Sequence, residues 1–109
     1  MRTHKYGAVK TTIDGITFAS KAEARRYAEL LLLQRAKRIH NLELQPSFDL
    51  KVVGAGGVVK IGRYVADFRY DLPTGEDVIE DVKGMKTAIY KLKKKHVEAQ
   101  YGITITEVA

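Results

Sequence analysis

At 109 residues with 45% hydrophobic content, the chain is sized for one modest core and leaves no room for a second domain. Its 19 Lys and Arg against 13 Asp and Glu give a net charge of +6, which fits a polyanionic partner. Without cysteine there is neither a disulfide frame nor a thiolate zinc site, and no apolar run nears the roughly 18 residues of a membrane span.

Arg2-Thr3-His4-Lys5 is not followed by a signal-peptide core, so a cytoplasmic protein with no membrane partner is expected. Residues 1–10 are basic and weakly patterned and read as an arm carrying Lys5 and Lys10. Thr11 to Phe18 brackets Asp14-Gly15 with β-formers, a strong hairpin signal, so residues 1–18 form an arm and a small hairpin ahead of the rest of a single 1–109 domain. Ser20 stands before a run of helix formers, Lys21 to Ile39, with Glu23 at the capping-box spacing. The helix is expected to bury Ala24, Tyr27, Ala28, Leu31 and Leu32, widened by Leu30 and Leu33, with Arg25, Arg26, Arg35, Lys37 and Arg38 on the wet side. Leu42 to Val53 reads as extended, and Pro46 within it marks an edge or a strand start. Gly54-Ala55-Gly56-Gly57 turns the chain into Val58–Tyr70, and Leu72 to Glu76 turns it again into the strand Asp77–Lys83. Lys86 to Tyr101 reads as a second helix with Ile89, Leu92 and Ala99 inward and Gly102 as its stop, and Ile103–Val108 closes the chain as a strand. The order helix, three strands, helix, strand predicts an α/β (α+β) fold, a mixed central sheet flanked by helices.

The chemistry concentrates on the hairpin formed by Tyr64–Tyr70 and Asp77–Lys83. With its turn centred on Thr74, Asp67 lies directly opposite Asp81, Cβ atoms roughly 4.5–5.5 Å apart, and Lys83 shares their face by alternation. A register shifted by one residue puts Glu80 opposite Asp67 instead. Opposed carboxylates destabilise a hairpin, so the pair asks for a neutralising partner, and a divalent cation is the obvious one. Hard oxygen ligands from Asp67 and Asp81, with the Val82 carbonyl, suit Mg²⁺ or Mn²⁺. Such a site hydrolyses phosphodiesters: Lys83 orients or polarises the attacking water and offsets charge on the phosphate.

Three stretches, Phe18-Ala19-Ser20-Lys21-Ala22-Glu23-Ala24-Arg25-Arg26-Tyr27, Tyr64-Val65-Ala66-Asp67-Phe68 and Val78-Ile79-Glu80-Asp81-Val82-Lys83-Gly84, give a chain that resembles the PD-(D/E)xK nuclease superfamily, with its restriction-endonuclease-like core. The likeness is to the small phage and prophage endonucleases, Holliday-junction-resolvase-like proteins among them. It departs in two places: Ala66 stands where the signature has proline, and an aspartate precedes Lys83 by two where glutamate is common. The resemblance implies catalytic roles for Glu23, Asp67, Asp81 and Lys83, with Glu23 completing the metal shell. It further implies a Mg²⁺-dependent endodeoxyribonuclease, structure-selective on branched recombination intermediates, acting as a homodimer in a bacterial host cell.

Each of these residues has a plainer role open to it. Glu23 satisfies a capping box with Ser20, and Asp67 and Asp81 fit exposed ion pairs with Lys83 and Arg69, worth about 0–1 kcal/mol. The run Lys93-Lys94-Lys95 is a solvated helix face unless, with Lys86, Lys91, Lys5 and Lys10, it lines a DNA backbone. His4, His40 and His96 have no zinc spacing. Tyr6, Tyr64 and Tyr90 are suited to base stacking or to packing. The competing functions are a non-enzymatic DNA-binding module and a phage regulatory or assembly protein on a decayed nuclease fold.

Overall fold

The computed structural model describes residues 10–109, so Lys5, with His4 and Tyr6, lies outside the described residues. Strands β1 (Thr11–Ile13) and β2 (Ile16–Phe18) form the expected hairpin, with Asp14 at φ 52° and Gly15 at φ 77° in its turn. Two left-handed residues give the turn whose twist matches the strands. Helix α1 (Lys21–Arg35) follows, capped by Ser20, whose Oγ accepts from the Glu23 N–H at 3.1 Å.

Helix α1 stops about a turn short of the expected Ile39. Lys37 adopts φ 60°, its N–H donates to the Gln34 carbonyl, and the Arg38 N–H reaches the Leu33 carbonyl. That is a Schellman closure, here built on a lysine where glycine is usual. It frees Ile39 to enter the core. The helix buries Ala24, Tyr27 and Leu30, with Leu31 and Leu33 packed at the margin, while Leu32 is 63% exposed. The stripe thus centres on Leu30.

Between the helices run five strands rather than three: β3 (His40–Leu44), β4 (Ser47–Gly54), β5 (Gly57–Val65), β6 (Phe68–Asp71) and β7 (Asp77–Val82). The interruption expected at Gln45-Pro46 separates β3 from β4, and the expected strand Val58–Tyr70 breaks as well, at Ala66-Asp67. The breaks are one event, because the Gln45 N–H donates to the Asp67 carbonyl and the Ala66 N–H to the Pro46 carbonyl, both at 3.0 Å. Proline cannot continue a ladder and Gln45 sits at φ 51°, so both chains leave one sheet for another here. Strands β4 and β5 become a separate hairpin. Strands β3, β6 and β7 pair antiparallel, and α2 (Ala88–Tyr101) returns the chain to β8 (Ile105–Val108), parallel to β7. The architecture is mixed α+β, its four-stranded sheet mixed in direction.

Alternation along β6 and β7 sends side chains to two cores. Phe68 and Tyr70 join Phe18, Tyr27 and Leu30 on the α1 side, whereas Ile79 joins Phe48, Leu50, Tyr64, Val97 and Ile105 on the α2 side. In α2 the inward residue is Val97, and Ile89, Leu92 and Ala99 face outward, contrary to expectation. Polar anchors choose that face: the Tyr90 hydroxyl reaches Glu107 on β8, and Gln100 and Tyr101 bond the β4 backbone. The helix also begins two residues late, since the Thr87 hydroxyl caps it by accepting from the Tyr90 N–H. Gly102, at φ 65°, ends it as expected. Among the described residues no helix is long and apolar enough to cross a membrane.

Candidate active site

The hairpin register is the one centred on Thr74: Phe68 pairs with Glu80, Tyr70 with Val78 and Asp71 with Asp77. At Asp71 and Asp77 two acids do stand opposite, and ordinary partners satisfy them. Arg69 grips Asp77 through Nε and Nη2 at 3.1 and 2.8 Å, and the Asn41 amide donates to Asp71 at 3.0 Å.

Glu80 and Asp81 point to opposite faces of β7 and meet opposite fates. Glu80, buried on the α1 side, takes a fork of two bonds from Arg26 at 2.8 and 2.7 Å and a third from the Tyr70 hydroxyl. Arg26, expected in solvent, is therefore drawn in to neutralise a buried acid. Burial, reinforced by the Glu80 carboxylate, pushes the Tyr70 hydroxyl up to about 12.

Asp81 is fully buried, and among the described residues neither of its carboxylate oxygens has a hydrogen-bond partner. Burial pushes its carboxyl up to about 6 against the pull of Lys83, with Glu107 adding to the rise. The nearby Asp67 N–H favours the charged form but is spent on the Glu80 carbonyl. An unpartnered buried carboxylate is costly, so its retention asks for a ligand.

Asp67 stands one residue before β6, where the ladder turns irregular. Its Oδ2 accepts from the Val82 N–H at 2.7 Å, so the carboxylate closes on the β7 backbone instead of facing Asp81 across a regular ladder. Burial raises its pKa, opposed by that bond and by Lys83. The Val82 carbonyl lies on the same side of its strand as the N–H, toward Asp67.

Glu23 arrives from the first turn of α1. Its N–H completes the cap on Ser20, but its carboxylate makes no hydrogen bond among the described residues. Burial and then Asp67 push it up to about 7, with Lys83 opposing and Asp81 adding to the rise. Lys83 thus acts on all three acids, and Glu23 feels both of the others. They do not close into a preformed cage: among the described residues no three acid or histidine side chains gather at metal-holding distance. What fits a hard cation here is the donor chemistry, a carboxylate whose two buried oxygens are unpaired among the described residues, coupled electrostatically through Glu23 to a second carboxylate, Asp67, all three with raised pKa.

Two residues outside the expected set shape the site. The Lys83 Nζ lies 4.7 Å from the centroid of the Tyr90 ring, and the Tyr90 hydroxyl donates to Glu107 Oε2 at 2.8 Å. Glu107 is the parallel-ladder neighbour of Asp81 and is held by Lys86 at 3.1 Å and Lys94 at 4.0 Å. Those interactions lower its pKa, the Tyr90 bond most. Tyr90, read from sequence as suited to stacking or packing, instead carries Lys83 on its ring and bonds Glu107, and Glu107 was not legible beforehand, because a glutamate on the last strand meets Asp81 only once β8 is known to lie parallel beside β7.

Lys86, Lys91, Lys94 and Lys95 line one cleft with Glu98 and Glu107, while Lys93 and Lys10 are exposed separately. Lys86 and Lys94 are therefore partly occupied by acids. Tyr64 is buried and unavailable for stacking. His96 bonds the Lys51 carbonyl through Nε2 at 2.8 Å, and among the described residues it belongs to no group of acids and histidines that could hold a metal ion.

The chain belongs to the family described as protein of unknown function DUF1064, whose model matches residues 3–107. No curated protein and no solved structure matches it.

Proposed function

We propose that this DUF1064 family member is a metal-dependent DNA endonuclease of the PD-(D/E)xK superfamily, on a restriction-endonuclease-like core, selective for branched DNA such as Holliday junctions. The observation that carries the reading is Asp81, buried with both oxygens unpaired among the described residues, in the electrostatic field of Lys83 and near enough to act on Glu23, which also feels Asp67. The order of α1, the antiparallel β6–β7 pair, α2 and a parallel β8 supports the fold assignment.

Asp81, Asp67 and Glu23 would hold Mg²⁺ or Mn²⁺, with the Val82 carbonyl as a further oxygen donor. When bound, the ion supplies charge to the phosphoryl oxygens and acidity to a water. Asp67 is kept in place by the Val82 N–H. Lys83, steadied over Tyr90, brings a cation to the phosphate. Glu80 is excluded from this work because Arg26 and Tyr70 already occupy it.

A cleavage panel of labelled duplex, single-stranded and four-way-junction DNA, in Mg²⁺ and in chelator, tests the proposal. The wild type cuts the junction in Mg²⁺ only. Asp81→Asn and Asp67→Asn abolish cutting while binding is kept or tightened, because a carboxylate that repels phosphate has gone. Undiminished turnover in either variant sinks the assignment. Metal-independent binding with no cleavage by the wild type returns the chain to the DNA-binding-module reading.

A further inference from the structure

The β4–β5 hairpin leaves the body of the molecule. Its core-side residues Phe48, Leu50 and Tyr64 are buried against α2, whereas every residue from Lys51 to Ile61 is exposed. The register sets Asp49 opposite Arg63, Lys51 opposite Lys60 and Val53 opposite Val58. Those residues alternate with the buried set and so share the outward face. An irregularity in β5 at Ile61 absorbs one residue, which keeps Lys60 and Arg63 on that same side. The outward face carries three cations and one acid, Asp49, which binds Lys60 at 3.2 Å. Lysines set directly opposite one another weaken a hairpin unless an anion lies against both. At the tip, Val53 and Val58 are 87% and 68% exposed beside a glycine-rich turn.

A second copy of the chain fits this hairpin poorly. The outer edge of β4 is already closed by α2: the Gln100 Oε1 accepts from the Lys51 N–H at 2.8 Å, and Gln100 Nε2 and the Tyr101 hydroxyl donate to the Asp49 carbonyl at 3.0 and 2.8 Å. The edge of β5 carries a bulge and Lys60, two features that blunt strand-to-strand association. A polyanion matches the charge of the face, and an apolar tip matches the exposed faces of bases.

We infer that the β4–β5 hairpin is a DNA-holding arm, with Lys51, Lys60 and Arg63 along the phosphates and the Val53–Val58 tip wedged against bases where a duplex is interrupted. The inference rests on the reading of the chain as a DNA-cutting enzyme and adds how the substrate is held. Strand β5 runs through Ala66 directly into Asp67, so DNA gripped by the arm is tied to the position of the acids.

The test is fluorescence anisotropy of the full chain in chelator, on a four-way junction and a continuous duplex carrying 2-aminopurine. Lys51→Gln, Lys60→Gln and Arg63→Gln combined lower the log–log salt slope by about 0.9 for each phosphate that is no longer neutralised. Asp49→Asn, which only removes an acid, tightens binding. Val53→Ser with Val58→Ser leaves the slope alone but cuts the preference for the junction at least about fivefold and abolishes 2-aminopurine brightening beside the crossover. Wild-type slope, preference and brightening in these variants overturn the arm while leaving cleavage by the wild type to stand. Absence of DNA binding by the wild type overturns both readings. A wild-type dimer that the valine substitutions dissociate reassigns the hairpin to an interface between copies.

Discussion

Asp81 and Glu80 are adjacent acids on one strand, yet Glu80 is wrapped in partners and the Asp81 carboxylate has no hydrogen bond among the described residues. If Asp81 serves a cation, then without the cation it is a liability. With its carboxyl raised from 3.8 to about 6, the native state holds a proton that the unfolded chain has released over that window. Stability from this group is thus fully present below about pH 4 and lost as pH rises through 6, by roughly 3 kcal/mol at most. Glu23, raised to about 7, extends the same trend to neutral pH. In chelator, Asp81→Asn should therefore melt higher than wild type at pH 8, with the gap closing toward pH 4. Mg²⁺ should raise the melting temperature of the wild type and leave that of the variant unmoved. A variant that melts lower at pH 8 in chelator would show that the carboxylate is not a burden. Tyr90 supports a second prediction, because its ring and its hydroxyl have separate tasks. Tyr90→Phe keeps the face under Lys83 and retains turnover, whereas Tyr90→Leu removes about 1 kcal/mol of cation–π attraction and lowers kcat about fivefold with KM little changed. Single-turnover and steady-state cleavage rates separate the two.

Between elements, the Arg26–Glu80 pair ties α1 to the face of β7 turned toward it, with the Tyr70 hydroxyl as a third member. Removing only the cation strands a buried carboxylate, so Arg26→Ala should cost about 3–5 kcal/mol, and Arg26→Ala with Glu80→Leu should recover most of it. Urea unfolding of the three proteins decides this; additive losses would show that the two side chains do not act as a pair. The same pair marks where periodicity stopped being informative. Arg26 reads as wet because charge is assigned outward by default, and only the position of β7 shows what it answers. The hairpin turn at Thr74, the Ser20 cap, the Asp14-Gly15 turn and the Gly102 stop were legible because each is set by residues within a few positions of one another. The Schellman end at Lys37 was not, since no glycine announces it. The outward turn of Ile89 and Leu92 was not either, since hydrogen bonds from Gln100 and Tyr101 to β4 choose the buried face of α2 against its hydrophobic pattern. For the candidate site, the acids of the hairpin and Glu23 were readable from spacing and resemblance, whereas Tyr90 and Glu107 depend on the long-range pairing of β7 with β8.

At the scale of the whole molecule the question is how many active sites meet one substrate. One chain of this length offers a single set of Glu23, Asp67, Asp81 and Lys83, and symmetric cutting of a branched DNA needs two, so the resolvase form of the proposal requires a two-fold dimer. The apolar run Leu30 to Leu33 of α1 does not supply its interface. Leu30 is wholly buried within the chain, Leu31 and Leu33 pack on the same core, and Leu32 alone stands out. With net charge +6, two copies also repel until a polyanion screens them. Dimerisation should therefore be weak in the free protein and strengthened by DNA, which brings the copies together by binding both and neutralising their charge. Sedimentation velocity at micromolar protein, in low salt, should show a predominantly monomeric species alone and two chains per four-way junction, with paired incisions on opposing strands in Mg²⁺. One chain per junction with a single nick would remove the resolvase form and leave a nicking or flap-type nuclease. In either case the salt slope and the Asp81 variants still test the nuclease itself.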